Sequence, residues 1–117
     1  MLPGRHRLRS SPGFHEVLRS GRRAGSGTMV VHLLRPSTAT VDPTARVGFI
    51  VNRKVGDAVT RNRVKRRVRH LVGRFVSRLP ADSVLVVRVN ESAKGAPRGV
   101  LESDLDSCLR RLLGETG

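Results

Sequence analysis

The 117-residue chain has one cysteine, no tryptophan, no tyrosine and three phenylalanines. A single cysteine excludes an intrachain disulfide and a cysteine-based zinc site, and it suits a reducing compartment, so a cytoplasmic location is expected. With so few aromatic rings, a surface that stacks many bases in succession is excluded as well. No apolar run approaches the ~18 residues that a membrane-spanning helix needs. The opening stretch MLPGRHRLRSSPG also lacks the apolar segment of a secretion signal, so no membrane role is expected.

Acids are the other shortage, nine against 23 Lys and Arg, for a formal charge of +14. They are also unevenly spread. Residues 1–81 carry 18 basic residues against Glu16, Asp42 and Asp57, whereas residues 82–117 carry five basic residues against six acids. None of the acids forms the close pair that metal-assisted phosphoryl transfer or glycoside hydrolysis would use. His6, His15, His32 and His70 show no metal-ligand spacing, and neither a nucleophile elbow nor a phosphate-binding glycine loop occurs. A protein-based active site and a protein-bound cofactor are therefore not expected.

What remains is cationic surface. TRNRVKRRVRH, residues 60–70, places six Arg or Lys within eleven residues, with no acid between Asp57 and Asp82. On a helix, like charges three and four apart repel by about a few tenths of a kcal/mol per pair. A merely solvating face mixes signs; a one-sign face is the electrostatic footprint of a polyanion binder. RNA is favoured over duplex DNA, because the chain has no helix-turn-helix pair, zinc finger or heptad zipper.

At this length one domain over residues 1–117 is expected, with residues 1–10 as a basic N-terminal arm. SSPGFHEVLRSG reads as a short helix that Ser11 can cap and Gly21 can end, with Phe14, Val17 and Leu18 on one face. Three strands are expected, at 28–35, 46–52 and 84–90, and PSTATVDPTA is a loop between the first two. Alternation gives wholly apolar faces to Met29, Val31 and Leu33, to Val47, Phe49 and Val51, and to Leu85, Val87 and Val89. The opposite positions include His32, Ile50, Asn52, Arg88 and Asn90, a mixed face that can stay open.

The longest helix is expected over 59–79, on a stripe of Val64, Val68, Leu71, Val72, Phe75 and Leu79, with Gly73 as its weak point. Projected at 100° per residue, Asn62, Lys65, Arg66 and Arg69 lie on one flank and Arg63, Arg67, Arg74 and Arg78 on the other. A loop, ESAKGAPRGV, leads to a last helix over 103–113 whose apolar side is Leu105, Cys108, Leu109, Leu112 and Leu113. The class is α+β, with a small mixed sheet, helices packed on one face and the order α-β-β-α-β-α.

The run VGFIVNRKVGDAVTRNRVKRRVRHLV, residues 47–72, resembles the signature of the bacterial ribonuclease P protein subunit. That signature is an apolar strand, a Lys/Arg pair, a glycine-containing turn, and Arg-Asn-Arg followed by spaced cations. LPGRHRLRSSPGFHEVL resembles the family's opening, a basic arm leading into a short helix. The resemblance implies a small protein that joins a catalytic RNA, one protein per RNA subunit, to remove the 5′ leader of precursor tRNA. Cleavage, with Mg2+, would then belong to the RNA.

The resemblance also implies contact with that RNA through Arg61, Asn62, Arg63, Lys65, Arg66 and Arg69. Arg61 lies nearest the apolar stripe. It further implies a leader cleft between the first helix and the open sheet face, formed by Phe14, Leu18, His32, Ile50, Asn52, Arg53 and Arg88. Relatives often carry aromatic rings where Leu18 and His32 stand, so stacking should be poorer here. The strand–long helix–strand connection is implied to be left-handed, against the usual rule. The alternatives are a ribosomal-type or chaperone RNA-binding protein and a nuclease in its own right.

Overall fold

The computed structural model describes residues 11–35, 45–80 and 83–114. The basic arm 1–10 and all but Ala45 of the expected loop 36–45 lie outside the described residues. Helix α1 (Ser11–Ser20) buries Val17 completely. It ends where the Gly21 N–H donates to the Val17 carbonyl at 2.8 Å. A Cβ at Gly21 would lie 2.5 Å from that carbonyl oxygen and 3.0 Å from that of Leu33, so only glycine lets the chain turn so closely into the sheet.

The sheet has four strands: β1 (Arg22–Ser26), β2 (Met29–Leu34), β3 (Arg46–Val51) and β4 (Val84–Val89), in the spatial order β1-β2-β4-β3. The three expected strands are present. β1 is an addition to them, because RRAGS carries two arginines and a glycine and turns only Ala24 into the core. Pairing is antiparallel from β1 to β2 and from β2 to β4, and parallel between β4 and β3. The parallel pair is joined through the long helix α2 (Ala58–Gly73).

Register aligns the apolar positions into rows. Met29, Val89 and Val51 form one, Val31, Val87 and Phe49 the next, and Leu33, Leu85 and Val47 the third. All nine belong to or pack on one hydrophobic cluster, together with Val64, Val68, Leu71 and Val72 of α2. Helix α3 (Arg98–Leu112) adds Leu101, Leu105, Cys108, Leu109 and Leu112. Thus α2 and α3 share one face of the sheet. α1 packs on β2 and β4, and its Val17 is buried outside that cluster, as are His32 and Val86, which places α1 on the opposite face. The face expected to be open is therefore covered across its middle.

Two helix boundaries differ from the sequence reading. α2 begins under an Asp57 cap, whose Oδ1 accepts from the Thr60 N–H at 2.8 Å, and it stops at Gly73 instead of running to 79. Glycine is the poorest helix former after proline. Beyond it a 3-10 turn at Val76–Arg78 still brings Leu79 into the core. α3 starts at Arg98, five residues earlier than expected, behind Pro97 at its cap position. Leu101 thereby joins the apolar stripe one turn before Leu105.

One carboxylate of α3 ties down the β1–β2 hairpin. Asp104 accepts from Ser26 Oγ at 2.9 Å, from Thr28 N at 3.0 Å and from Thr28 Oγ1 at 2.7 Å. Burial pushes its carboxyl up, but the bonds from Thr28 and Ser26 outweigh that and hold it below the ordinary aspartate value. Asp104→Asn should therefore lower unfolding free energy at pH 7 by about 1–3 kcal/mol, measured by urea denaturation. Because the carboxylate is favoured in the folded chain, the gap between the two proteins should close as the pH falls below ~4 and the acid protonates.

Candidate nucleic-acid interface

α2 is amphipathic in an unusual sense: four buried side chains fix it to the core while every other face shows cations. Arg63, Arg66 and Arg67 are exposed, Arg61, Lys65 and Arg69 half-buried, and Asn62 exposed. None of Arg61, Arg63, Lys65, Arg66 and Arg67 forms an ion pair with a carboxylate among the described residues. The acids of α3 engage other cations. Glu102 meets Arg74 at 3.5 Å, and Asp106 meets both Arg78 and Arg110 at 2.9 Å. The carboxylates of Glu102 and Asp106 thus go to Arg74, Arg78 and Arg110, beyond the end of α2 and on α3, and the cations from Arg61 to Arg67 keep their field.

The six expected RNA-contact residues all lie on α2, and all but Arg63 border one of two different hollows. Arg61, Asn62 and Lys65 line a hollow of about 190 Å³ with Val51 and Ala58, against the end of β3. Arg66 and Arg69 line a second, larger opening on the side of α3, and the Arg69 guanidinium lies 5.7 Å from the centre of the Phe49 ring. Arg63 is exposed and lines neither. The helical projection groups Arg66 with Asn62 and Lys65, and Arg66 borders the opening toward α3 while the other two border the hollow at β3.

The residues expected in a leader cleft are also sorted by the sheet. Ile50 and Arg88 face each other across the β3–β4 pair, and Val30 continues their row. Ile50 and Val30 are half-buried and Arg88 is exposed, so this row is the accessible strip beside α1. Phe14 and Leu18, half-buried on α1, flank the buried Val17 by three residues and one. Arg53 is exposed just past β3, while Asn52, though exposed, uses its side-chain oxygen to cap the following turn, accepting from Lys54 N at 2.9 Å.

His32 is the exception. It occupies the next row, between Arg23 and Val86, and is only 3% exposed. A ring so covered is not presented for stacking on a base. Neither of its nitrogens meets a hydrogen-bond partner among the described residues. Desolvation first, then the positive charges of Arg88 and Arg23, lower its pKa below the ordinary histidine value.

These features define a basic α+β domain built to present cations from one helix to a polyanion. A sequence model of the family described as Ribonuclease P matches residues 2–113, and the chain belongs to that family, as one of its protein components. It is 51% identical to the ribonuclease P protein component of a Nocardioides species over 115 residues, covering 98% of this chain and 97% of that one. To the corresponding Streptomyces bikiniensis protein it is 46% identical over 119 residues, with 97% of each chain covered. The solved Staphylococcus aureus RNase P protein superposes with a TM-score of 0.78 at 24% identity, over 91% of this chain and 94% of that one. The partnership with ribonuclease P RNA and a role in tRNA 5′ processing go with that membership.

The protonation of His32 gives a direct check on its buried position. Its folded-state pKa is depressed, so the unfolded chain takes up the proton first and stability must fall as the pH drops below ~6.5. One such proton contributes a slope of at most about 1.4 kcal/mol per pH unit. His32→Phe should flatten the dependence of unfolding free energy between pH 7 and pH 5, followed by urea denaturation at several pH values.

Proposed function

We propose that this chain binds the RNA subunit of ribonuclease P through α2 and holds the 5′ leader of precursor tRNA along the strip between α1 and the sheet. One protein serves each RNA subunit, in the cytoplasm, and the RNA performs the cleavage with Mg2+ that it binds itself. When bound there, the ion would activate the attacking water and stabilise charge on the scissile phosphate. The protein contributes binding and placement. Arg61, Asn62, Arg63, Lys65, Arg66 and Arg69 act on the RNA subunit; Phe14, Leu18, Ile50, Asn52, Arg53 and Arg88 act on the leader, with His32 in the adjoining row of the same sheet face.

The observation that carries this reading is the position of β3. Its Ile50 faces the accessible strip, while the neighbouring Val51 lines the hollow that holds Arg61, Asn62 and Lys65. Two nucleic-acid surfaces therefore meet along one strand. A leader laid on the strip would emerge directly beside the helix that faces the catalytic RNA. Unpaired cations supply affinity without sequence demand, which fits a component that serves many precursor tRNAs.

Reconstitution tests the whole reading. Added to a bacterial ribonuclease P RNA, the protein should raise affinity for precursor tRNA and permit cleavage at low Mg2+; no change in either would overturn it. Cleavage of precursor tRNA by the protein alone would instead move catalysis to the chain. Replacing Arg63, Lys65 and Arg66 together by alanine should flatten the log–log salt dependence of RNA-subunit binding by about 0.7–0.9 for each phosphate that is no longer neutralised. Phe14→Ala should weaken binding of leader-bearing precursor but not of mature tRNA, compared by filter binding.

A further inference from the structure

A cleft between α2 and the turn leading into α3 lies apart from the hollow at the end of β3 and from the strip beside α1. Its volume is about 720 Å³, room for a nucleotide. Ala96, half-buried, and Pro97, exposed, give it an apolar wall over the buried Leu71 and Leu101, while Arg66, Arg67 and Arg98 supply cations. No carboxylate among the lining residues balances them. Nor do these three arginines form an ion pair among the described residues. The first turn of α3 contains no acid and has no side-chain cap, so the helix adds to the positive potential there.

An apolar lining under a wholly cationic rim fits a ligand with two parts, a flat apolar body and a negative charge. A paired base is stacked inside its own helix and cannot enter. An unpaired base can be splayed out, packed on apolar side chains and guanidinium planes, and held by its own phosphate. We propose that this cleft receives one unpaired nucleotide of the partner RNA, its base against Ala96 and Pro97 and its phosphate between Arg67 and Arg98. The inference rests on α2 facing RNA, and it adds a third point of contact that neither the hollow lined by Arg61, Asn62 and Lys65 nor the leader strip supplies. Arg66, exposed at the rim, links this contact to the rest of α2.

Two variants test it in the full-length chain. Ala96→Trp fills the apolar side of the cleft without changing its charge. Arg98→Glu reverses the rim at an exposed position where an acid favours the helix start, so folding is preserved. With melting curves like the wild type, each should weaken binding to ribonuclease P RNA about tenfold, as removal of one stacked base does. Ultraviolet crosslinking should join an unpaired nucleotide of that RNA to residues 95–101 in the wild type and not in Ala96→Trp.

If Ala96→Trp unfolds, Arg98→Glu and the wild-type crosslink decide the matter. Wild-type affinity in the folded variants, or no crosslink in this segment, would overturn the inference and leave the proposed function standing. A wild-type chain that fails to bind the RNA at all would remove the proposed function first. Free AMP bound at the cleft without competing with the RNA would make it a small-molecule site. An acidic peptide bound there in place of RNA would make it a protein-docking site, and either result would overturn the assignment.

Discussion

Parallel pairing of β3 with β4 is the constraint from which the functional surface follows. Parallel neighbours cannot be joined by a tight turn; they need a crossover, and here α2 is that crossover. The helix must therefore start where β3 ends. Only Asn52 to Asp57 separate the two elements, and both ends of that link are fixed by side chains, Asn52 capping the turn and Asp57 capping the helix. Arg61 to Lys65 are thereby carried to the same end of the sheet as Ile50 and Arg53. A sheet closed by an antiparallel hairpin at this point would have left the cations elsewhere.

Charge is divided by the same architecture. α3 holds three of the acids that the chain possesses and commits each of them: Asp104 to the β1–β2 hairpin, Glu102 and Asp106 to arginines. The ion pairs of Glu102 and Asp106 are partly solvent-exposed, and their individual contribution to stability is modest. Their effect on the field is larger. By pairing with Arg74, Arg78 and Arg110, they leave Arg61, Arg63, Lys65, Arg66 and Arg67 of α2 without a carboxylate ion pair among the described residues.

Much of this is legible in the sequence because period and burial agree. The nine apolar positions of β2, β3 and β4 alternate without error, and every one reaches the core cluster. Val64, Val68, Leu71 and Val72 mark the anchored face of α2 equally well. β1 escapes because a strand whose exposed positions are Arg22, Arg23 and Gly25, on both faces, carries no apolar alternation; its pairing with β2 and the packing of α3 beside it hold it in place. The start of α3 is hidden by the small residues of KGAPRG, although Pro97 and the i, i+4 pair Leu101 and Leu105 are signals in plain view. For the candidate site, residue types and the cationic helix are readable. The two hollows that the cations of α2 border and the burial of His32 on the face where α1 packs depend on which elements pack together, and no local pattern records that.

The position of β1 has a consequence for how so basic a chain survives before it meets RNA. It is an edge strand, and an edge offers unpaired backbone groups to any other strand. This one spans five residues, carries exposed arginines at Arg22 and Arg23, and has the Gly25 carbonyl already engaged by the Arg111 guanidinium. Two copies approaching edge to edge would bring guanidinium groups together and find part of the ladder occupied. The same surplus of arginine that suits the protein to a polyanion thus also makes the β1 edge a poor template for another strand.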